Sequence, residues 1–161
     1  MYRHLVDITL RAVPAVELAE WHRTGQQSLE AAGLRWHEEY PGSDTADALG
    51  MLTLAPDGGA PPWGLWQIVV DDEVIGDIGF HGPPDPEGSV EIGYNVVPAR
   101  RRRGVATRAV ALVVAEAAAA GARTVTAEVV GDNPGSAGAL LSNGFQLVEQ
   151  HGETAVWSRD A

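Results

Sequence analysis

Cysteine is absent from the 161-residue chain. Its absence excludes disulfides, thiol catalysis and cysteine-bound metals, and leaves the redox compartment open. Lysine is absent as well, so all 11 basic residues are arginine. Without lysine no G-x-x-x-x-G-K-[ST] loop can form, which excludes a P-loop nucleotidase. No G-x-G-x-x-G follows a strand pattern, which argues against a dinucleotide fold. No apolar run approaches the roughly 18 residues that a spanning helix needs. The opening MYRHLVDITL breaks its apolar residues with charged and polar ones and does not read as a signal peptide. The expectation is a soluble, cytoplasmic protein with no membrane contact. The five histidines show no H-x-x-x-H or related spacing, so no metal site is expected.

What is present fits one domain. Apolar residues make up 45% of the chain, enough for one hydrophobic core at this length. The net charge of -11 is unevenly spread: residues 1–97 hold 16 acids and 4 arginines, residues 98–161 hold 6 acids and 7 arginines. Nucleic-acid binding needs a broad basic face, which this distribution lacks. A basic spot on an acidic body points instead to one small anionic ligand.

Periodicity orders the elements. HLVDITLRAV (4–13) reads as a strand, and Pro14 suits the first turn of a helix carrying Val16 or Leu18 and Trp21 on related faces. A second helical piece is predicted over 26–32, ending at Gly33. The stretch from YPGSDTADALG onward stays ambiguous until the Pro/Gly loop 55–62. LWQIVVDDEVIGDIGFHG reads as two strands turning at 71–73, and SVEIGYNVV as a third that stops at Pro98. An alanine-rich helix over about 103–120 closes at Gly121, and RTVTAEVV is a strand. A loop and short helix end at Gly144, and a last hairpin turns at 151–152. The class is α+β, with a mixed, mostly antiparallel central sheet flanked by helices.

The concentrated charge is the run Arg100–Arg103, followed by Gly104 and the alanine-rich helix. A helix N-terminus presents unpaired N–H groups and the positive end of the macrodipole, which together attract phosphate. Glycine allows close backbone approach, and arginines add charge-assisted contacts. A solvated surface turn explains the same residues, and the local sequence leaves both readings open.

RRRGVA (101–106) fits a [QR]-x-x-G-x-[GA] pattern. EIGYNVVP precedes it, and DNPGSAGALLSNGF follows a strand, its Asn133 standing 29 residues past Gly104. This combination resembles the GNAT superfamily of acetyl-CoA-dependent N-acetyltransferases, closest to the branch with ribosomal-protein and small-molecule enzymes. The resemblance implies a single GNAT-like domain. Its acetyl-CoA-binding core would span 63–145, with acceptor-side elements in 1–62 and a C-terminal hairpin in 146–161. By the resemblance, Val96 and Val97 offer backbone groups to the pantetheine arm where the sheet splays. Arg101, Arg102, Arg103, Gly104, Val105 and Ala106 hold the pyrophosphate. Asn133 contacts the pantetheine or acetyl end, and Ser136 faces the thioester sulfur.

Acetyl transfer needs a neutral amine, a stabilised tetrahedral intermediate and a proton for the departing thiolate. Many relatives take that proton from a tyrosine in the last helix. Here SAGALLSN has leucine in its place, which leaves Ser136 as acid, sulfur contact or helix cap. Ser136 follows PG, not the G-x of a nucleophile elbow, so a serine hydrolase is not indicated. Strand alternation sets Glu91, Gly93 and Asn95 on one face, opposite Val90, Ile92 and Tyr94. Glu91 is the candidate base and Tyr94 reads as packing. His81 is a pocket-lining or strand-end residue, while His22 and His37 carry no assigned role. Trp21, Trp36, Trp63 and Trp66, with Glu38, Glu39, Asp44 and Asp47, would suit a cationic amine if they line the acceptor side. The implied activity is transfer of acetyl from acetyl-CoA to a primary amine by a monomer or homodimer. The alternative is an acyl-CoA-binding module without turnover.

Overall fold

The structure is a computed structural model and describes residues 7–161. Eight strands form one sheet in the order β1-β3-β4-β5-β6-β8-β7, and β2 joins β4 off this path. The strands are β1 (Thr9–Ala12), β2 (Arg35–Trp36), β3 (Leu65–Val70), β4 (Glu73–Phe80), β5 (Ser89–Val96), β6 (Thr124–Val130), β7 (Gln146–His151) and β8 (Thr154–Asp160). The helices are α1 (Ala15–Thr24), α2 (Ser43–Thr53), α3 (Val105–Ala119) and α4 (Pro134–Ser142). Only β5–β6 and β2–β4 pair in parallel; the other five pairings are antiparallel. The expected mixed, mostly antiparallel α+β architecture is therefore present.

The meander β3–β4–β5 is the rigid centre. Its tight turn places Asp71 and Asp72 at φ 50° and 62°, a conformation that aspartate tolerates better than most residues. Ile68, Val74, Ile75 and Ile78 are wholly buried, as a strand covered on both faces requires. Helix α3 buries Val105, Ala109, Val110, Val113 and Ala117 along one stripe. Small alanines let it lie close to the sheet.

Three local expectations change. The strand expected over 4–13 is observed as Thr9–Ala12, and residues 4–6 lie outside the described residues. The helical piece expected over 26–32 is a single 3-10 turn, Glu30–Ala32. Gln27 instead joins a polar network in which its amide meets Glu17 and Gln67 while Trp36 Nε1 donates to its oxygen. The ambiguous stretch is α2, with Thr45, Leu49 and Leu52 buried at helical spacing.

The tryptophans expected on the acceptor side are mostly structural. Trp21 is buried, and its ring and that of Trp36 pack with Tyr40 at centroid distances of 5.6–6.3 Å. Trp63 sets its edge on Phe80, and Trp66 Nε1 donates to the Pro62 carbonyl. Of these indoles, the N–H groups of Trp36 and Trp66 have acceptors, in Gln27 and Pro62, which helps fix those two rings.

Candidate active site

The sheet opens at its centre. β5 and β6 pair in parallel only from Ser89–Thr124 to Ile92–Ala127. Beyond that point β5 stays paired with β4 as far as Val96, and β6 stays paired with β8 as far as Val130. The two strands therefore part while each remains anchored on its outer side. His81 N–H donates to the Glu91 carbonyl, and Val97 N–H to the Ile75 carbonyl. Antiparallel alternation then turns the backbone groups of Tyr94 and Val96 into the gap. Of the two valines expected there, Val96 faces the gap, whereas the Val97 amide is spent on Ile75. Pro98 begins a 3-10 turn and ends the strand.

The arginine run lies at the mouth of this gap, and its four side chains divide. Arg100 bonds to Glu73 at 3.2 Å. Arg101 turns inward, its Nε donating to the Val96 carbonyl at 2.8 Å and its Nη2 to Asn95 Oδ1. Arg102 and Arg103 are exposed and make no side-chain hydrogen bond or ion pair among the described residues. Arg102 (φ 63°) and Gly104 (φ 79°) both adopt the left-handed region. This delays the helix to Val105, later than the expected 103. Such alternation turns successive amides to one side as an anion-receptive concavity. The first helical bond of α3 runs from Arg108 N–H to the Gly104 carbonyl, so Val105, Ala106 and Thr107 have no intrahelical acceptor.

Across the gap, α4 starts at a cap that leaves Ser136 free for other work. Asn133 Oδ1 accepts the Ser136 N–H at 3.1 Å, and Pro134 takes the first helical position. The Ser136 hydroxyl therefore does not cap the helix; it meets the Tyr94 hydroxyl at 3.0 Å. The Tyr94 hydroxyl in turn reaches the Ser136 carbonyl at 3.0 Å. Asn143 Nδ2 bridges the carbonyls of Thr107 and Ala139, locking α4 to the first turn of α3. Leu140, one of the two leucines of SAGALLSN, is wholly buried, and the other, Leu141, is exposed.

A cleft of about 360 Å³ opens on the face that bears Glu91, Gly93 and Asn95, and it reaches the gap at Tyr94 and Glu128. Asp44, Asp47 and Asp77 line it together with Met51, Phe80 and His81. None of the expected tryptophans does; the aromatic residues that border it are Phe80 and Tyr94. Among the described residues no arginine lines the cleft. Glu38 and Glu39 lie outside it, and Glu39 accepts the Ala99 N–H.

Two features of the cleft escape sequence reading. Asp77 is 5% exposed, amid the buried apolar residues of β4 from Val74 to Phe80. Tyr40 Oη (2.9 Å) and Thr45 Oγ1 (2.8 Å) both donate to its Oδ2, and among the described residues none donates to Oδ1. Burial pushes its carboxyl up to about 6, against the opposing effect of the Thr45 and Tyr40 hydrogen bonds. Burial and the Asp77 charge hold the Tyr40 phenol well above its ordinary value, so it stays a donor. A carboxylate amid IGDIGF, flanked by isoleucine and glycine on both sides, is the signal that marks it. The second feature is a dyad: His81 Nδ1 lies 2.5 Å from Glu91 Oε2. The ring leans over Gly93, where an added Cβ would stand 2.9 Å from Nε2. The remaining candidates lie apart from the cleft. His22 is exposed beside Gly50, and His37 Nδ1 accepts the Glu39 N–H. Among the described residues no group of three or more metal-ligating side chains converges, and no helix is long and apolar enough to cross a membrane.

A sheet parted beside an anion-receptive, glycine-led helix start defines the class: an acyltransferase-type α+β domain. The chain belongs to the GNAT acetyltransferase family, whose domain model, described as acetyltransferase (GNAT) domain, matches residues 7–146. It is 29% identical over 150 residues to the uncharacterized N-acetyltransferase YjdG of Bacillus subtilis (strain 168), covering 90% of this chain and 88% of the relative. Solved structures share the fold at lower identity. RimL, the ribosomal L7/L12 alpha-N-protein acetyltransferase in complex with coenzyme A, aligns with TM-score 0.65 and 18% identity over 96% of each chain. The microcin C7 self immunity acetyltransferase MccE, in complex with acetyl-CoA and AMP, aligns with TM-score 0.62 and 17% identity over 96% of this chain and 93% of its own.

Proposed function

We propose that the protein binds acetyl-CoA at the parted strands and transfers its acetyl group to a cationic primary amine, on a small molecule or at a protein N-terminus. The observation that carries this reading is the meeting of two opposite sites: the arginine turn at the mouth of the gap and the acidic cleft that reaches the same gap. The cofactor lies along 63–145, and the elements of 1–62 contribute α2 to the acceptor side. The pyrophosphate is held by the amides of the 101–106 turn, with Arg102 and Arg103 supplying charge. The backbone of Tyr94 and Val96 faces the pantetheine amides, and Asn133 Nδ2 borders the same arm.

In this reading the ammonium group is drawn into the cleft by Asp44, Asp47 and Asp77. A neutral imidazole whose Nδ1–H bonds to Glu91 presents Nε2 as an acceptor, so Glu91 acts through His81 to take the amine proton. The amine nitrogen forms its bond to the thioester carbon, the C–S bond breaks, and the CoA sulfur leaves as thiolate to be protonated near Ser136. Gly93→Ala is expected to push the imidazole off Glu91. It should lower kcat/KM for the amine about tenfold with acetyl-CoA affinity within about twofold, measured by steady-state kinetics beside calorimetry.

The direct test titrates acetyl-CoA into the protein and then follows free thiol release across a panel of primary amines. The reading expects saturable binding and amine-dependent thiol release. Binding without release for any amine supports the alternative of an acyl-CoA-binding module. No binding at all removes both.

A further inference from the structure

We propose that Tyr94 is the proton source for the departing CoA thiolate, delivering its proton through the Ser136 hydroxyl. The inference rests on the acetyl-transfer reading and adds to it a residue that lies outside α4.

An aliphatic hydroxyl is a far weaker acid than a thiol, so Ser136 alone is a poor donor to a thiolate. A phenol has an ordinary value of about 10 against about 8.5 for a cysteine thiol, near enough for transfer between them. Here the phenol and the serine hydroxyl form one unit. Ser136 Oγ donates to Tyr94 Oη, and Tyr94 Oη donates to the Ser136 carbonyl, both at 3.0 Å. The two oxygens are already in contact, so rotating the two hydroxyl hydrogens reverses the direction of donation without moving a heavy atom. Tyr94 then donates to Ser136 Oγ, whose own hydrogen turns toward the gap.

The proton balance closes. As the C–S bond breaks, the sulfur takes the Ser136 hydrogen, Ser136 takes the Tyr94 hydrogen, and a tyrosinate remains. Solvent returns a proton to the tyrosinate, while the proton lost by the amine leaves from His81. Burial raises the Tyr94 phenol above its ordinary value, partly offset by its bond to Ser136, so the donor starts protonated at neutral pH. Tyr94 is also among the residues bordering the acceptor cleft, on the strand segment facing the gap. The residue therefore borders both the cleft and the gap, with its hydroxyl turned to α4. The Asn133 cap matters here, because it satisfies the Ser136 amide and leaves the hydroxyl to the phenol.

Tyr94→Phe keeps the ring and removes one oxygen. The expected result is a fall in kcat of about 100-fold with acetyl-CoA affinity within about twofold. Ser136→Ala should fall by a similar factor, and the double variant should be no worse than either single one, because the two act as one relay. In the unaltered protein kcat should decline at alkaline pH as the phenol ionises, and that limb should vanish in Tyr94→Phe. Multiplicative losses in the double variant, an alkaline limb that survives Tyr94→Phe, or a kcat within about threefold of the parent would overturn the inference. Turnover by the parent keeps the two levels apart. A parent that releases no thiol with any amine removes the acetyl-transfer reading and this inference together, whereas an active parent with an unaffected Tyr94→Phe removes the inference alone.

Discussion

Gly104→Glu is expected to lower acetyl-CoA affinity at least 100-fold while the fold survives. Gly104 stands at φ 79° with open space around the position of a Cβ, at the N-cap of a fifteen-residue helix. A side chain there meets two separate effects. The left-handed backbone costs a non-glycine residue about 1–2 kcal/mol. A carboxylate also sits where the cofactor's pyrophosphate must approach the amides of α3, and it competes for the positive end of the helix. The first effect lowers stability, and the second lowers affinity. Gly104→Asn separates them, since asparagine tolerates the left-handed region and carries no charge. Calorimetry should show Gly104→Asn binding within about fivefold of the parent and Gly104→Glu binding at least 100-fold weaker, a difference near 3 kcal/mol. The fold should hold in both, because the buried stripe from Val105 to Ala117 lies beyond the substituted residue. Equal losses in the two variants would assign the effect to backbone strain and not to the anion site.

Asp77→Asn should move stability and activity in opposite directions. The Asp77 carboxyl titrates at about 6 in the folded protein, against an ordinary value of 3.8. Between those values the folded chain holds a proton that the unfolded chain has released, so stability falls as pH rises from about 4 to about 6 and is level beyond. At about 1.4 kcal/mol for each unit of displacement, the ionised carboxylate costs the fold about 3 kcal/mol at neutral pH. Asparagine keeps an oxygen to accept from Tyr40 and Thr45 and has no charge to bury. Asp77→Asn should therefore be more stable by about 1–3 kcal/mol near pH 7.5, with the gain gone near pH 4, as read by urea unfolding at each pH. The cleft loses its most buried carboxylate in the same step. For the amine, kcat/KM should drop about 100-fold, mainly through KM, because a desolvated ion pair is worth far more than an exposed one. In the parent that constant should rise with pH through about 6 as Asp77 ionises, and the rise should be missing from the variant. A variant that is no more stable at neutral pH, or as active as the parent, would remove Asp77 as the acceptor anchor. The opposed pair of effects is the expected mark of a residue held for function at the expense of stability.

The parts of this architecture that rest on local rules were legible. Alternation and turn residues located the meander, and Gly104 with the arginine run located the start of α3 to within two residues. Long-range contacts were not legible. Nothing local says that Arg100 and Arg101 are drawn to Glu73 and Val96 while Arg102 and Arg103 find no partner among the described residues; the backbone turns at Arg102, with φ 63°, between the two pairs. Tyr94 alternates onto the face opposite Glu91, which reads as packing. Yet a half-buried phenol must find a partner for its hydroxyl, and only the approach of α4 supplies one. His81 and Glu91 looked like separate candidates because the turn between β4 and β5 brings together residues ten apart. The sequence alone does not divide the tryptophans between core and cleft, because large aromatic rings serve one as readily as the other. The carboxylate inside IGDIGF is the better guide to the cleft proposed for the acceptor, since a charge in a covered strand needs a reason that packing does not give.

Isotope transfer tests the proposed amine acetylation most directly. The protein is incubated with acetyl-CoA labelled in the acetyl group and a set of cationic primary amines, and the amine is examined by mass spectrometry for the label. The account predicts labelled amide and free CoA in equal amounts, both lost at alkaline pH in step with the Tyr94 phenol. Saturable acetyl-CoA binding with no label on any amine, or thiol release that proceeds equally without amine, would contradict it.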